Sequence, residues 1–530
     1  MKTDARSRVN ALVAMCLVAA PIQAAHASGP GTPADDKPGS AYLQCDGKPN
    51  NVTSGETAAR LIGAVTLLGL FAKPAEAPDA SKRKFGTEGV AVCDTLLVGE
   101  KKEGNPARRV DLLLGRAIHQ IEAKNYEGAI ADAKVARGEA DAAGLLKDPY
   151  YARSAGRAFD LIEAAALYRL DKPLEARAAA LRGTDKIRRS ELALLSLPEY
   201  LFNDPGVSAG EPEYFGWRTH GAALMAGDQA DRLEEWGRFA EAAKVRDGLS
   251  DIDRVISPDT LESGWLARSA VAHMLAGDTA TGAARAAAAR ANIDSRRAAG
   301  KPEKEAAEIV EVLDLYAILE TANKGDLAGA RRLFAGRSQW VAASFGSVAE
   351  TTRRLREGAK PEELIGGLSR DPAQLWKERT EGRRAEALAK DSDNKSLFWL
   401  LPNMDSARSY RAVSKQVWRT DKSKLVLKMN EKSVLKMERM FLFGTPSNVA
   451  LDAFTLHAAL LAKQRGHQGF VIMPLFAGGY LTAGFLTGNL GDPGMPAAMF
   501  NNADEVIAEL KPLIPDPATL KTIETSEGRR

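Results

Sequence analysis

Apolar positions recur at helical spacing through the middle of the chain, from about residue 108 to residue 360. Three segments each place four apolar residues at i, i+3, i+4 and i+7, which is one face of an amphipathic helix. These stripes are Leu114, Ala117, Ile118 and Ile121; Leu161, Ala164, Ala165 and Tyr168; and Ile309, Val312, Leu313 and Tyr316. The segment is therefore predicted to be almost wholly helical.

Polar or glycine-containing turns follow several of these helices, and a small residue stands shortly after each turn. The small residues are Ala129, Ala176, Ala242, Gly282 and Ala330. Together with Ala117 and Ala136 around the first turn, this pattern resembles the tetratricopeptide-type helical repeat, although its spacing exceeds that repeat's period of about 34 residues. The resemblance implies a mainly α fold, with a divergent helical-repeat array over residues 108–400 that presents a surface to a protein or peptide.

The hydrophobic period changes near residue 401. Residues 410–420, 423–429 and 434–443 are predicted to be strands, and the second of them alternates apolar residues with lysines. A helix is predicted over residues 448–465, with Gly466 as its C-terminal cap and one apolar face. That face is formed by Leu451, Phe454, Ala458 and Leu461. With a buried strand at 469–473, these elements predict a small α/β domain over residues 401–530, distinct from the array.

Residues 456–466, the strand at 470–472 and a later helix over 503–510 resemble the small C-terminal domain of uncharacterised proteobacterial envelope lipoproteins. The resemblance covers about a quarter of the chain and implies an envelope location, with no established catalysis to transfer. This chain departs from the family at Cys16, because Met15 stands where a lipobox has a small residue.

The amino-terminal pattern is typical of a cleaved secretory signal. Three basic residues precede an apolar run over residues 11–20, and Ala25 and Ala27 precede Ser28. That run is shorter than the roughly 20 apolar residues that cross a bilayer. We therefore predict that residues 1–27 are removed and that the mature chain, which begins near Ser28, is periplasmic.

Two cysteines, Cys45 and Cys93, follow the predicted signal. An oxidising compartment favours a structural disulfide between them. Residues 28–107 are accordingly predicted to form a disordered leader and a disulfide-linked N-terminal region. Within it, the apolar run at 61–72 predicts a buried helix, with an interfacial segment as the alternative.

Composition and motifs narrow the classes of function that the chain could have. The 530 residues carry 72 Lys and Arg against 69 Asp and Glu, and this near-neutral balance does not favour nucleic-acid binding. The sequence contains no HExxH, P-loop or dinucleotide-binding motif, so no metal site, cofactor or catalytic residue is predicted. Residues 206–210 match a nucleophile-elbow string around Ser208, but the flanking Pro205 and Pro212 predict a loop, which makes a hydrolase the weakest hypothesis.

Two C-terminal features suggest binding. Residues 415–439 carry eight basic residues against three acidic ones, and Lys424, Lys428 and Lys432 are candidate binding residues together with Trp418 and Tyr480. A lysine-protected sheet edge is the favoured interpretation of this basic stretch, with contact to an anionic polymer or partner as the alternative. Residues 466–491 lack charge and predict a packed strand followed by an apolar glycine loop, with a membrane-seeking or ligand-covering loop as the alternative.

These patterns favour an exported periplasmic scaffold or adaptor that binds an envelope protein or peptide through its helical-repeat surface. The alternative is a binder of a small ligand or an anionic envelope polymer that acts through the C-terminal α/β domain. Both hypotheses allow peripheral contact with a membrane. Neither one includes catalysis.

Overall fold

The computed structural model describes residues 39–50, 79–99, 102–189, 211–221, 223–256, 262–303, 305–337, 339–389, 391, 397, 400–402, 407–420, 438–440, 447–477 and 480–527. Within these residues the chain is mainly helical, with nineteen helices and one small sheet near the carboxyl end. The predicted signal, the apolar run at 61–72 and Ser208 lie outside the described residues.

The N-terminal region contains two helices joined by a disulfide. Helix α1 spans Ala41–Asp46, helix α2 spans Gly86–Leu97, and Cys45 is bonded to Cys93, which confirms the predicted pairing. The carbonyl oxygen of Cys45 also lies 2.7 Å from Nε2 of the buried His119, on the next helix. The disulfide therefore links the two N-terminal helices, and the contact with His119 attaches this region to the helical array.

Ten helices of the array form five helical hairpins, numbered 1 to 5 along the chain. Their paired bounds are α3 Pro106–Glu122 with α4 Tyr126–Ala142, α5 Pro149–Arg169 with α6 Pro173–Asp185, α8 Ala226–Glu235 with α9 Phe239–Ile256, α10 Ser263–Ala276 with α11 Thr279–Ala298, and α12 Ala306–Asn323 with α13 Leu327–Ala335. Helix α7, Glu211–Gly221, lies between hairpins 2 and 3. The described part of residues 108–360 contains no strand, as its hydrophobic period predicts.

All five hairpins turn in the same way. Each turn contains one residue with positive φ, which lets the first helix end and the chain reverse. These residues are Lys124 (62°), Asp171 (62°), Gly237 (73°), Gly277 (87°) and Gly325 (92°). The small residue five positions later is buried in every hairpin, so the helices approach closely where the sequence predicts.

Helices α14, Phe345–Arg356, and α15, Pro372–Ala389, run along these turns. The N-terminus of α14 meets hairpin 3, where a Cβ on Gly346 would lie 2.5 Å from the Glu234 backbone. Further along α14, Arg354 donates to the carbonyl of Leu275 in hairpin 4 at 2.7 Å. Helix α15 continues from hairpin 3 toward hairpin 1. We call the row of five turns the turn edge.

The C-terminal unit contains helices α16, Ala407–Val417; α17, Ser447–Gln464; α18, Ala503–Leu510; and α19, Pro517–Glu527. Its strands are β1, Glu438–Met440; β2, Gly469–Ala477; β3, Tyr480–Gly488; and β4, Asn501–Asn502. The strand order is β1-β3-β2-β4, and every pair is antiparallel. In the central pair, Phe470 faces Thr487 and Ile472 faces Phe485.

The central strands β2 and β3 are covered on both faces where their side chains are described. One face packs Phe470 and Phe485 against α17, where the rings of Phe454 and Phe485 are 5.3 Å apart. The other face packs Val471 and Leu486 against α8 and α9 of hairpin 3. Burial on both faces accounts for the absence of charge at 469–472 and 484–486, and it joins the cores of the C-terminal unit and the array.

A buried polar contact also joins the two parts. Arg153 of α5 and the hydroxyl of Tyr410 each donate to Oδ2 of Asp452 at 2.7 Å. Asp452 is fully buried, and this burial raises the pKa of its carboxyl even though the charge of Arg153 acts in the opposite direction. Tyr150 extends the contact by donating to the carbonyl of Leu513 at 2.9 Å. The C-terminal unit is thus clamped onto hairpin 2.

The structure corrects two of the predictions for the C-terminal region, and a third concerns residues that it does not describe. The sequence predicts a strand at residues 410–420, but 407–417 form α16, because its buried residues have helical spacing and pack against α17. The predicted glycine loop after residue 473 is wrong, because β2 continues to Ala477 and pairs with β3. The strand predicted at 423–429 lies outside the described residues. The predicted helix and its cap are confirmed by α17 and by a φ of 73° at Gly466.

Candidate functional site

Exposed apolar side chains concentrate at the last hairpin of the array. Of the ten large apolar residues that are exposed in the described chain, five fall between residues 310 and 365. They are Val310 on α12, Leu327 and Leu333 on α13, and Val341 and Ile365 on the loops that follow. We call these five residues and the elements that carry them the terminal-hairpin surface.

A loop held by a buried carboxylate presents Val341, which is 78% exposed. The Oε1 atom of Glu311 accepts hydrogen bonds from the backbone N–H groups of Val341, Ala342 and Ala343 at 2.8, 2.7 and 3.2 Å. Because Glu311 follows Val310 on α12, this loop is attached beside the first helix of the hairpin. Val341 is therefore presented on a fixed backbone.

The second loop places Ile365 at the end of α13. A Cβ on the following residue, Gly366, would lie 2.5 Å from the carbonyl oxygen of Ala335, so the two backbones are in direct contact. Leu333 stands two residues before Ala335 on α13 and is 53% exposed. The two loops thus add apolar residues to both helices of hairpin 5.

Of the candidate binding residues, Trp418 lies in the C-terminal unit, apart from the terminal-hairpin surface. Trp418 is partly buried, and its indole N–H donates to the carbonyl of Ile514 at 3.0 Å. Tyr480 begins β3, where it pairs with Ala477, and its side chain is outside the description. The candidates Lys424, Lys428 and Lys432 lie outside the described residues.

An open polar cleft of about 390 Å³ lies at the β4 edge of the sheet. Its lining is Lys463, Gly466, His467, Gln468, Asn502 and Asp504. Lys463 donates to Asp504 at 2.9 Å, and Nδ1 of His467 lies 2.9 Å from the Thr487 hydroxyl. The sequence did not predict this cleft, because its two walls come from segments separated by more than thirty residues.

Three residues of hairpins 3 and 4 are of the types found in a catalytic triad, but they are connected differently. The hydroxyl of Ser269 donates to Asp247 at 2.7 Å, and Nε2 of His273 lies 3.0 Å from the same carboxylate. Nδ1 of His273 lies 3.2 Å from Asp278. Burial alone would raise the pKa of Asp247, but the bonds from His273 and Ser269 and the nearby Arg285 lower it to about 2. The serine is thus bonded to a carboxylate and not to the imidazole.

A pair of carboxyl groups lies between hairpins 3 and 4. Burial raises the pKa of Asp253 to about 6, and burial together with repulsion from Asp253 raises the pKa of Glu262 to about 7. The backbone N–H of Glu262 donates to Oδ2 of Asp253 at 2.7 Å. Across the described residues, no group of three or more His, Cys, Asp or Glu side chains is arranged to hold a metal ion.

In the part of the chain that the structure describes, no helix combines the length and the apolar character that crossing a membrane requires. No family model, no curated protein and no solved structure matches this chain.

Proposed function

We propose that the chain is an exported periplasmic scaffold or adaptor that binds an envelope protein or peptide through the terminal-hairpin surface. The observation that carries this proposal is the concentration of exposed apolar residues at the last hairpin. A helical array needs polar outer faces on its terminal repeats to stay soluble, so apolar side chains at that position favour an interaction. The divergent tetratricopeptide resemblance supports the same reading.

Export is supported by the signal pattern of residues 1–27 and by the disulfide between Cys45 and Cys93. Disulfides persist in oxidising compartments such as the periplasm. Intact mass of protein purified from the periplasm checks this step. We expect a chain that begins near Ser28 and lacks free thiols, and a retained leader would contradict the proposal.

Site-specific crosslinking in the exporting cell tests the partner surface. A photoreactive residue at Leu333 or Val341 is expected to capture the same partner, whereas the matched control at Leu490 is not. Leu490 is 54% exposed but lies in the C-terminal unit. A Leu333→Glu change should abolish capture from Val341 without changing the melting temperature. Equal capture at Leu490 would remove the assignment to hairpin 5.

A second candidate function is supported by the polar cleft at the β4 edge. Charged and amide groups converge there from Lys463, Asp504 and Gln468, which suits a small polar ligand. Thermal shift against free amino acids and short saccharides tests it. We expect the ligand to raise the melting temperature of the wild-type protein but not that of Lys463→Gln. An equal rise in both proteins would show that the ligand does not bind in the cleft. The lysines at 424, 428 and 432 support an anionic envelope polymer as the other form of this alternative.

A further inference from the structure

Helix α16 presents a basic face to solvent. Residues 406–420 include four basic residues and no acidic one, and an aspartate flanks this segment on each side. Arg408 and Lys415 are seven positions apart, which is about two helical turns, so they lie on one face and are separated by roughly 10 Å along the axis. Both are exposed, as is Arg419, which follows the last turn of the helix. We call Arg408, Lys415 and Arg419 the basic stripe.

The basic stripe has no counter-charge among the described residues. None of its three side chains forms an ion pair with a carboxylate in the part of the chain that the structure describes. On α14, by comparison, Glu350 pairs with both Arg353 and Arg354 at 2.8 Å. The positive charges of the stripe are therefore available to a partner, whereas those of α14 are largely neutralised within the chain.

The opposite side of α16 is buried and fixes the orientation of the basic stripe. Tyr410, Val413 and Val417 lie on this side and belong to the core of the C-terminal unit. At the carboxyl end of the helix, the indole N–H of Trp418 donates to the carbonyl of Ile514 at 3.0 Å. A helix that lies in a membrane surface needs an exposed apolar face, and the apolar face of α16 is occupied by the core.

The surroundings of the basic stripe also differ from the centre of a protein–protein interface. Of the ten large apolar residues that are exposed in the described chain, none falls within residues 407–420. The exposed neighbours of the stripe on α16 are Ala412 and Gln416. Interfaces between proteins have an apolar centre inside a polar rim, and this face lacks such a centre. A partner held by charge fits it better, and a straight row of cations suits a linear polymer with an anionic group in each repeat.

We propose that the basic stripe of α16 binds a linear polysaccharide that carries carboxylates. The two arginines of the stripe suit this chemistry, because a guanidinium donates two parallel hydrogen bonds to a carboxylate. The inference rests on the anionic-polymer form of the second candidate function, and it assigns that form to described residues without using the lysines at 424, 428 and 432. The stripe belongs to the C-terminal unit and is separate from the terminal-hairpin surface.

Binding of the purified protein to immobilised alginate, a linear polymer of uronic acids, tests the proposal. The triple variant Arg408→Gln/Lys415→Gln/Arg419→Gln should bind at least about tenfold more weakly than the wild type at about 0.1 M salt, because three exposed charge contacts are lost. Raising the salt concentration to about 1 M should weaken wild-type binding, because the contacts are electrostatic and solvated. The melting temperature should stay at the wild-type value, since all three side chains are exposed.

A matched control removes the same charge from another part of the chain. Lys134→Gln/Lys172→Gln/Lys301→Gln changes three exposed lysines of the array that form no ion pair with described residues. This control should bind alginate as the wild type does. An equal loss of binding in both triple variants would show attraction to the overall charge of the protein and would overturn the assignment to α16.

Hydrogen exchange of the wild-type protein adds a measurement that does not depend on whether any variant folds. Alginate should slow the exchange of backbone amides in α16 and leave those of α13 in hairpin 5 unchanged. Equal effects on the two helices, or an effect on α13 alone, would contradict the proposal.

The remaining outcomes separate this inference from the function on which it rests. If the wild type and the stripe variant bind alginate equally, the stripe is not the site, but a polymer-binding function remains. If the wild type does not bind alginate, both the stripe and the polysaccharide are wrong. Binding to phosphatidylglycerol vesicles or to polyphosphate in place of alginate would overturn the choice of partner. None of these results affects the crosslinking test at hairpin 5.

Discussion

Two half-buried carboxyl groups between hairpins 3 and 4, Asp253 and Glu262, are expected to make the stability of the chain fall as the pH rises. Burial raises the pKa of Asp253 from 3.8 to about 6 and that of Glu262 from 4.5 to about 7. The nearby Glu303 contributes to both of these increases, and Arg296 opposes them. At pH values between the unfolded-state and folded-state pKa of each group, the folded chain binds more protons than the unfolded chain. The free energy of unfolding therefore decreases with increasing pH.

The magnitude follows from the displaced pKa values. A shift of one unit in the pKa of a single group corresponds to about 1.4 kcal/mol. From about pH 5 to about pH 7.5, the two groups together should lower the free energy of unfolding by about 4 kcal/mol. This loss is large compared with the roughly 5–15 kcal/mol of a typical native protein.

Urea denaturation followed by circular dichroism across this pH range checks the expectation. The double variant Asp253→Asn/Glu262→Gln should lose most of the decrease, because neither new side chain titrates, and the amide carbonyl introduced at position 253 can still accept from the backbone N–H at position 262. The matched control is Asp294→Asn, whose side chain is 72% exposed, and it should keep the wild-type slope. If the double variant shows the wild-type dependence on pH, the reasoning from burial is wrong.

Three further predictions concern stability. Cys93→Ala should lower the free energy of unfolding by about 4 kcal/mol, the chain-entropy value for a disulfide that spans 48 residues, and denaturation with and without reductant checks it. Phe454→Ala should cost about 3 to 5 kcal/mol, whereas Leu490→Ala at an exposed site should change stability by less than about 0.5 kcal/mol in the same assay. Asp452→Ala removes the carboxylate that Arg153 contacts across the clamp and should cost about 3 to 5 kcal/mol, and an unchanged melting temperature would contradict the clamp.

The sequence predicted best where local pattern and burial agree. The helical middle of the chain and the register of α17 follow from apolar stripes, and Phe454 is buried as its position in the stripe predicts. The disulfide followed from the two cysteines and the inferred export. The five turns carry small buried residues because a close approach of two helices after a tight turn leaves no room for larger ones.

Local pattern failed where neighbouring elements decide the structure. Aromatic and β-branched residues favour a strand at residues 410–420, yet Tyr410, Val413 and Val417 share a helical face that packs against α17. The uncharged stretch at 466–491 gave no alternating signal for β3, and both faces of the two strands are covered at 469–472 and 484–486, where their burial is described. The sequence likewise did not predict the terminal-hairpin surface, because the spacing of apolar residues does not show whether another element covers them.

The sequence by itself determined the helical class of the middle of the chain, the close turns and the pairing of the cysteines, because each depends on residues near one another or on a small set of alternatives. Tertiary structure decided which faces are covered. It placed the sheet between α17 and hairpin 3, laid α15 along the turns, and left hairpin 5 with exposed apolar residues. Coverage depends on contacts between segments hundreds of residues apart, and the free energy of burying a face does not specify which distant segment will bury it.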